Sequence, residues 1–142
     1  MGLTLELNLS KLFATNYISY KGKVNSKKET LLKYKFAICY ENARDIPGYI
    51  TEKIFDAMLS GSVPVYVGCK NITHEVPSEC FINAKDFSSP DKLFAYIKNI
   101  NKVDWELINS KIVTYINSEE FKNKYDAKFF AEELYCELKK LI

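Results

Sequence analysis

Glu41, Asn42, Tyr49, Thr51, Glu52 and Lys53 are the residues of this chain whose types and spacing could do chemistry. An amide and an aromatic ring can hold a base or a sugar, and a carboxylate can accept from ribose hydroxyls. A lysine beside the amino end of a helix can meet a diphosphate. A purely structural reading of the same residues stands beside that one. Thr51 then caps a helix, Glu52 complements its dipole, and Lys53 is a solvated side chain.

The elements around these residues decide whether they can meet. Lys35–Glu41 is a short, nearly continuous apolar run rich in β-formers, the pattern of a strand covered on both faces. Its carboxyl end delivers Glu41 and Asn42. After the turn residues Asp45-Ile46-Pro47-Gly48, the spacing predicts a helix from about Thr51 to Leu59. Ile54, Ala57 and Met58 share one face of it and Gly61 stops it. Ser62–Val67 reads as a second buried strand ending at Gly68, with Pro64 an awkward occupant. Strand, turn, helix and strand make a βαβ unit, so the sheet is expected to be parallel and the fold α/β. Ligands of open α/β sheets collect beyond the carboxyl ends of the strands, where the candidate residues fall.

The remaining segments follow the same pattern. Ser26 or Asn25 can cap a short helix through residues 29–34, and Cys80–Asn83 reads as a short strand. Residues 86–90 precede a predicted helix over Asp91–Asn99, and further helices are expected at about Val103–Asn117 and Ala127–Leu141. Leu3, Leu5, Leu7 and Leu9 alternate with polar residues, which is strand periodicity in a run that can also be helical. No internal repeat or low-complexity linker divides the 142 residues, so one domain is expected over the whole chain.

Composition excludes several classes of function. A net charge of +2, from 20 basic and 18 acidic residues, is too balanced for a nucleic-acid footprint. No segment has the apolar length of a membrane span, and the start lacks the pattern of a signal peptide or a myristoylation site. Arg44 is the only arginine, so bidentate grip on a phosphate has one candidate, in a loop position that favours solvation. Cys39, Cys69, Cys80 and Cys136 are too dispersed for a zinc or redox motif and are expected as buried thiols. His74 lacks a visible catalytic partner and is assigned a surface or loop-packing role. Trp105, Phe129, Phe130 and Tyr135 have helical spacing and are assigned to the core.

Taken jointly, three runs carry a resemblance. Tyr34–Asn42, then Gly48-Tyr49-Ile50-Thr51-Glu52-Lys53-Ile54, then Ala57, Gly61-Ser62-Val63-Pro64-Val65 and Gly68, resemble the signature of the α-1,3/α-1,4-fucosyltransferase family, glycosyltransferase family 10. The likeness continues more loosely through Val76-Pro77, Cys80-Phe81-Ile82 and Asp86-Phe87 to Leu93–Ile97, covering roughly residues 21–100.

The resemblance implies the C-terminal, donor-binding half of a GT-B enzyme, a Rossmann-like parallel sheet. GDP-fucose is the implied donor, transfer is with inversion, and no metal is required, in keeping with the lack of a D-x-D motif near the site. It implies Asn42 and Tyr49 as nucleotide contacts, Glu52 as acceptor for the donor's sugar hydroxyls, and Lys53 as partner of the diphosphate. Glu52 and Lys53 are the implied catalytic residues, and Glu41 braces the turn. The glycan acceptor and the general base belong to an N-terminal acceptor domain expected to be absent here. The first βα unit is expected to be incomplete, and the family's early diphosphate-gripping arginine has no match, with Lys21 or Lys23 as conceivable substitutes.

Other readings stay open at this point: an inert nucleotide-sugar binding module, a remnant, or a GT-B transferase using another sugar nucleotide. Abundant Lys, Asn and Ile lean toward a bacterial source and a cytoplasmic or membrane-peripheral location; a eukaryotic source would mean the Golgi. Lys139-Lys140, at the end of an amphipathic helix, leaves a peripheral membrane contact open.

Overall fold

The computed structural model describes residues 22–125 and 127–140. The strand pattern at Leu3–Leu9, Lys21, and the side chains of Phe129 and Phe130 lie outside the described residues. In chain order the elements are α1 (Lys27–Leu31), β1 (Phe36–Tyr40), α2 (Glu52–Leu59), β2 (Val63–Val67), β3 (Ile82–Asn83), α3 (Pro90–Asn99), α4 (Lys102–Ile116), α5 (Glu119–Tyr125) and α6 (Ala127–Lys139). Single 3-10 turns at Ile72–His74, Ser78–Cys80 and Ala84–Asp86 flank β3.

The three strands form one parallel sheet in the order β1-β2-β3, as the βαβ reading expects. Phe36 pairs with Val63 and Tyr40 with Val67, while Val65 pairs with Ile82. Pro64 fits because of the direction its nitrogen takes. The Val63 N–H donates to the Lys35 carbonyl at 2.8 Å, so alternate positions of β2 serve β1. Position 64 faces the other side, where β3 begins pairing only opposite Val65.

β2 is buried along its whole length, with Val63 and Tyr66 at the centre of the core. Ile54, Ala57 and Met58 of α2 pack on the sheet, matching the predicted apolar face. Burying Ile54 and Met58 contributes about 1.5–3 kcal/mol each. Gly61, at φ +72°, ends the helix in a backbone conformation that favours glycine. Ile112 and Tyr115 of α4 close the core from beyond, and the Tyr115 hydroxyl donates to the Glu75 carbonyl at 2.7 Å. Ser62 anchors α1, its buried hydroxyl lying 2.9 and 2.7 Å from the carbonyls of Leu31 and Tyr34.

Several expectations need correction. β1 is not covered on both faces by the described residues: Ala37 and Cys39 are buried, but Ile38 is 75% exposed. The expected strand at Cys80–Asn83 shortens to two residues, because Cys80 closes a 3-10 turn that follows Pro77. Cys136 is exposed, whereas Cys39, Cys69 and Cys80 are buried, and all four are free thiols. Tyr135, assigned to the core, is exposed and lies under the Lys139 ammonium, 4.6 Å from its ring centroid. Trp105 is half-buried against the core, and its indole N–H donates to the Lys35 carbonyl at 3.1 Å. α5 was not anticipated. Its Phe121 and Tyr125 pack with Phe55 of α2, at ring separations of 5.9 and 4.5 Å.

Candidate functional site

Glu41 follows β1 directly and continues its ladder, its N–H donating to the Val67 carbonyl at 2.8 Å. That bond sends its side chain to the α2 side of the sheet, where it is almost fully buried. The carboxylate accepts from the Thr51 N–H at 2.8 Å and the Thr51 hydroxyl at 2.7 Å. It also accepts from the Lys53 ammonium at 3.1 Å. Lys53 in turn lies 3.3 Å from the Thr51 hydroxyl. Thr51 therefore occupies the cap position of α2 without capping it through its side chain, whose hydroxyl is spent on Glu41.

Burial works to raise the Glu41 pKa, but the Thr51 N–H, the Thr51 hydroxyl and the Lys53 ammonium together outweigh it. The carboxyl sits below its ordinary value and stays ionised. The pair is asymmetric, with the carboxylate side chain buried and the lysine side chain 28% exposed. One end is fixed in the protein and the other reaches solvent.

Gly68 makes this close approach possible. A Cβ there would clash with the Tyr66 hydroxyl and lie 2.6 Å from Cγ of Glu41. Tyr66 is itself buried, and its hydroxyl accepts from the Cys69 N–H at 3.1 Å, so it has little room to retreat. From below, the Cys39 thiol donates to the Lys53 carbonyl at 3.3 Å, tying β1 to the first turn of α2.

The other predicted residues are placed differently. Glu52 is exposed and faces Lys27, 3.7 Å away, whose ammonium pairs more closely with Asp56 at 2.6 Å. Asn42 is exposed and Tyr49 half-buried, both on the 41–51 loop, where the Tyr49 N–H donates to the Ile46 carbonyl at 3.2 Å. The structure thus brings Lys53 together with Glu41 and Thr51, while Asn42 and Tyr49 stand on the 41–51 loop and Glu52 at the start of α2 facing Lys27. His74 is exposed on its 3-10 turn, and Lys23 is exposed ahead of α1.

Sequence reasoning did not single out Lys85. It stands just past β3, where its ammonium bonds Asp45 at 2.6 Å and the Gly68 carbonyl at 3.0 Å. The Lys85 contact holds the Asp45 carboxyl below its usual value. Asp45 is the one non-glycine residue at positive φ among those described, at 60°. Arg44, Asp45 and Lys85 line a cleft of about 440 Å³ with Tyr40, Phe87 and Ser89, beyond the carboxyl ends of the strands. The only signal for Lys85 in the sequence is its place after a short strand. Among the described residues, no three His, Cys, Asp or Glu side chains gather as a metal site. No described helix is long and apolar enough to cross a membrane.

A parallel α/β sheet with an ion-paired lysine on the first turn of a helix, beyond a strand's carboxyl end, places the fold in the Rossmann-like class. The family model described as glycosyltransferase family 10 (fucosyltransferase), C-terminal, matches residues 9–138, and the chain belongs to this family. That span is wider than the 21–100 stretch carried by the sequence signature.

The α-(1,3)-fucosyltransferase FucT of Helicobacter pylori is 38% identical over 78 residues, which are 55% of this chain and 16% of that protein. The 4-galactosyl-N-acetylglucosaminide 3-α-L-fucosyltransferase 9 of Mus musculus is 40% identical over 83 residues, 56% of this chain and 23% of that enzyme. The crystal structure of α1,3-fucosyltransferase with GDP-fucose superposes at a TM-score of 0.58 and 34% identity. The match covers 66% of this chain and 28% of that one. Its counterpart with GDP gives 0.58 and 33% identity. These neighbours are GT-B enzymes, in agreement with the α/β fold class. The chain therefore spans between 16% and 28% of the length of these relatives.

Proposed function

We propose that this chain binds GDP-fucose and presents its fucose for inverting transfer to a glycan hydroxyl, as the donor-binding part of a fucosyltransferase. The observation that carries the reading is Lys53, held by Glu41 on the first turn of α2 with its ammonium reaching solvent. Membership of the family and the GDP and GDP-fucose complexes of its structural neighbours support it.

In inverting transfer the acceptor oxygen attacks the anomeric carbon from the face opposite GDP, and negative charge builds on the departing diphosphate. A fixed ammonium and the unpaired N–H groups at a helix start stabilise that charge more in the transition state than in the ground state. On this reading Lys53 does the work of a metal, and no metal is needed. Asn42 and Tyr49 sit on the loop that would border the nucleotide, and Glu52 would exchange its 3.7 Å contact with Lys27 for the donor's sugar hydroxyls. The acceptor and its base are supplied by residues other than those of this site. The relatives include bacterial and mammalian enzymes; the abundance of Lys, Asn and Ile leans toward a bacterial source and a cytoplasmic or membrane-surface location, and a eukaryotic source would mean the Golgi.

Calorimetric titration with GDP and with UDP tests the donor. GDP is expected to bind more tightly, and Lys53→Ala to weaken it by about 1–3 kcal/mol, the range for a charge-assisted contact. Tighter UDP binding overturns the fucose assignment, and an unchanged GDP affinity removes Lys53 from the phosphate site. Transfer of labelled fucose to a glycan separates an enzyme from an inert binding module, which would bind GDP without turnover.

A further inference from the structure

We infer that Glu41 is a positioning residue for Lys53, acting on the donor diphosphate through that lysine without touching it; the inference rests on the donor-site reading above.

Three observations carry it. First, Glu41 is buried and ionised, and every contact of its carboxylate given above runs to Thr51 or Lys53. A buried carboxylate is costly unless its acceptors are filled, so its place here needs the partners it has. Second, the Lys53 ammonium has three N–H donors, and Glu41 and the Thr51 hydroxyl engage two of them, at 3.1 and 3.3 Å. A long, flexible side chain is thereby held in one direction, with one N–H left for an incoming anion. The entropy of ordering that chain is lost on folding and not again on binding. Third, the scaffold under Glu41 is built to keep it there. The Glu41 N–H is bonded into the sheet at 2.8 Å, and Gly68 leaves the space that its Cγ fills.

The alternative role for Glu41 is structural only: bracing the 41–51 loop by accepting from the Thr51 N–H. The two roles differ in what they couple to. A brace supports the whole loop, base contacts included. A positioning residue affects only what Lys53 affects.

The test is a double-mutant cycle by calorimetry, using the wild-type chain, Glu41→Gln, Lys53→Ala and the double variant, each titrated with GDP and with guanosine. Glutamine keeps the size of the side chain but turns one acceptor into a donor facing Lys53 or Thr51. Glu41→Gln is expected to weaken GDP about tenfold, at the low end of a charged hydrogen bond, and to leave guanosine within about twofold. In the Lys53→Ala background its effect on GDP is expected to vanish. Equal losses for GDP and guanosine, additive losses in the cycle, or tighter GDP binding each overturn the positioning role.

If Glu41→Gln does not fold, Thr51→Val decides. It removes the hydroxyl that bridges Glu41 and Lys53 while keeping the backbone N–H. A loss of about twofold to fivefold for GDP alone supports the inference, and an unchanged GDP affinity overturns it. Failure of the wild-type chain to bind GDP sinks the donor-site reading, and this inference with it. GDP binding with an additive cycle sinks the positioning role alone.

Discussion

At the residue scale, the Glu41–Lys53 pair leaves a signature in the pH dependence of stability. The folded state holds the Glu41 carboxyl below its ordinary value of 4.5, since the Thr51 and Lys53 contacts outweigh the opposing effect of burial. A group with a depressed folded pKa stabilises the protein fully above its unfolded value, and the contribution disappears as pH falls through the folded value. Glu41→Gln has no such titration. The stability gap between wild type and Glu41→Gln is therefore expected to be widest near neutrality and to shrink as pH falls through and below the ordinary carboxylate range. Urea denaturation of both proteins across that range measures it, and an equal gap throughout would mean that Glu41 titrates alike folded and unfolded. The Asp45–Lys85 pair, though shorter, is exposed on both sides and contributes little to stability. This distinction was invisible in the sequence. Glu41, Glu52 and Lys53 were all legible as charged residues near a strand end, and Asp45 only as a turn residue. Which carboxylate meets the lysine depends on the loop path and on the direction the ladder gives Glu41.

At the scale of elements, the βαβ unit was the most legible part of the molecule. The spacing of Ile54, Ala57 and Met58 declared the buried face of α2, and the continuous apolar run of β2 declared a strand buried on both sides. β1 misled because its residues are equally apolar, yet Ile38 points to a face that the described residues leave open. α5 was missed because only Phe121 and Tyr125, one helical turn apart, are apolar in a run of Glu, Lys and Asn. Its helix depends on packing against Phe55 and on the Ser118 hydroxyl accepting from the Phe121 N–H at 3.1 Å, which local propensity does not reveal. The junction of β2 with the loop after it rests on Gly68. Gly68→Ala places a methyl against the Tyr66 hydroxyl and Glu41 Cγ, in a region with no slack. It is expected to cost about 1–3 kcal/mol of stability, as overpacking does, and to weaken GDP binding further by displacing Glu41. Chemical denaturation and GDP titration of the same variant measure both effects. A stable variant with wild-type GDP affinity would show that Tyr66 and Glu41 can move aside.

At the scale of the whole molecule, the four thiols report opening and ligand linkage together. Burial pushes the Cys39 thiol up to about 12 and Cys80 to about 11, so neither forms thiolate readily in the folded state, and Cys69 is buried as well. Cys136, on the exposed side of α6, is open to reagent. One thiol is expected to react with a disulfide reagent at once, and three only as the protein opens. Cys39 is the informative one, because its Sγ is bonded to the Lys53 carbonyl and becomes accessible only when α2 leaves β1. A ligand bound at the Lys53 end of α2 must leave before that opening. At a concentration one hundred times its Kd it adds about 2.7 kcal/mol to the cost of opening, roughly a hundredfold in the open population. Where opening and closing are fast compared with labelling, the Cys39 rate falls by the same factor. GDP is therefore expected to slow Cys39 about a hundredfold at that concentration while leaving Cys136 unchanged, and UDP at equal concentration to slow it far less. Because α2 and β2 share one core, Cys80 should slow with Cys39 if the opening is global; a Cys39 rate that alone responds would confine the opening to α2. A Cys39 rate indifferent to GDP would mean that the nucleotide does not bind where the lysine stands.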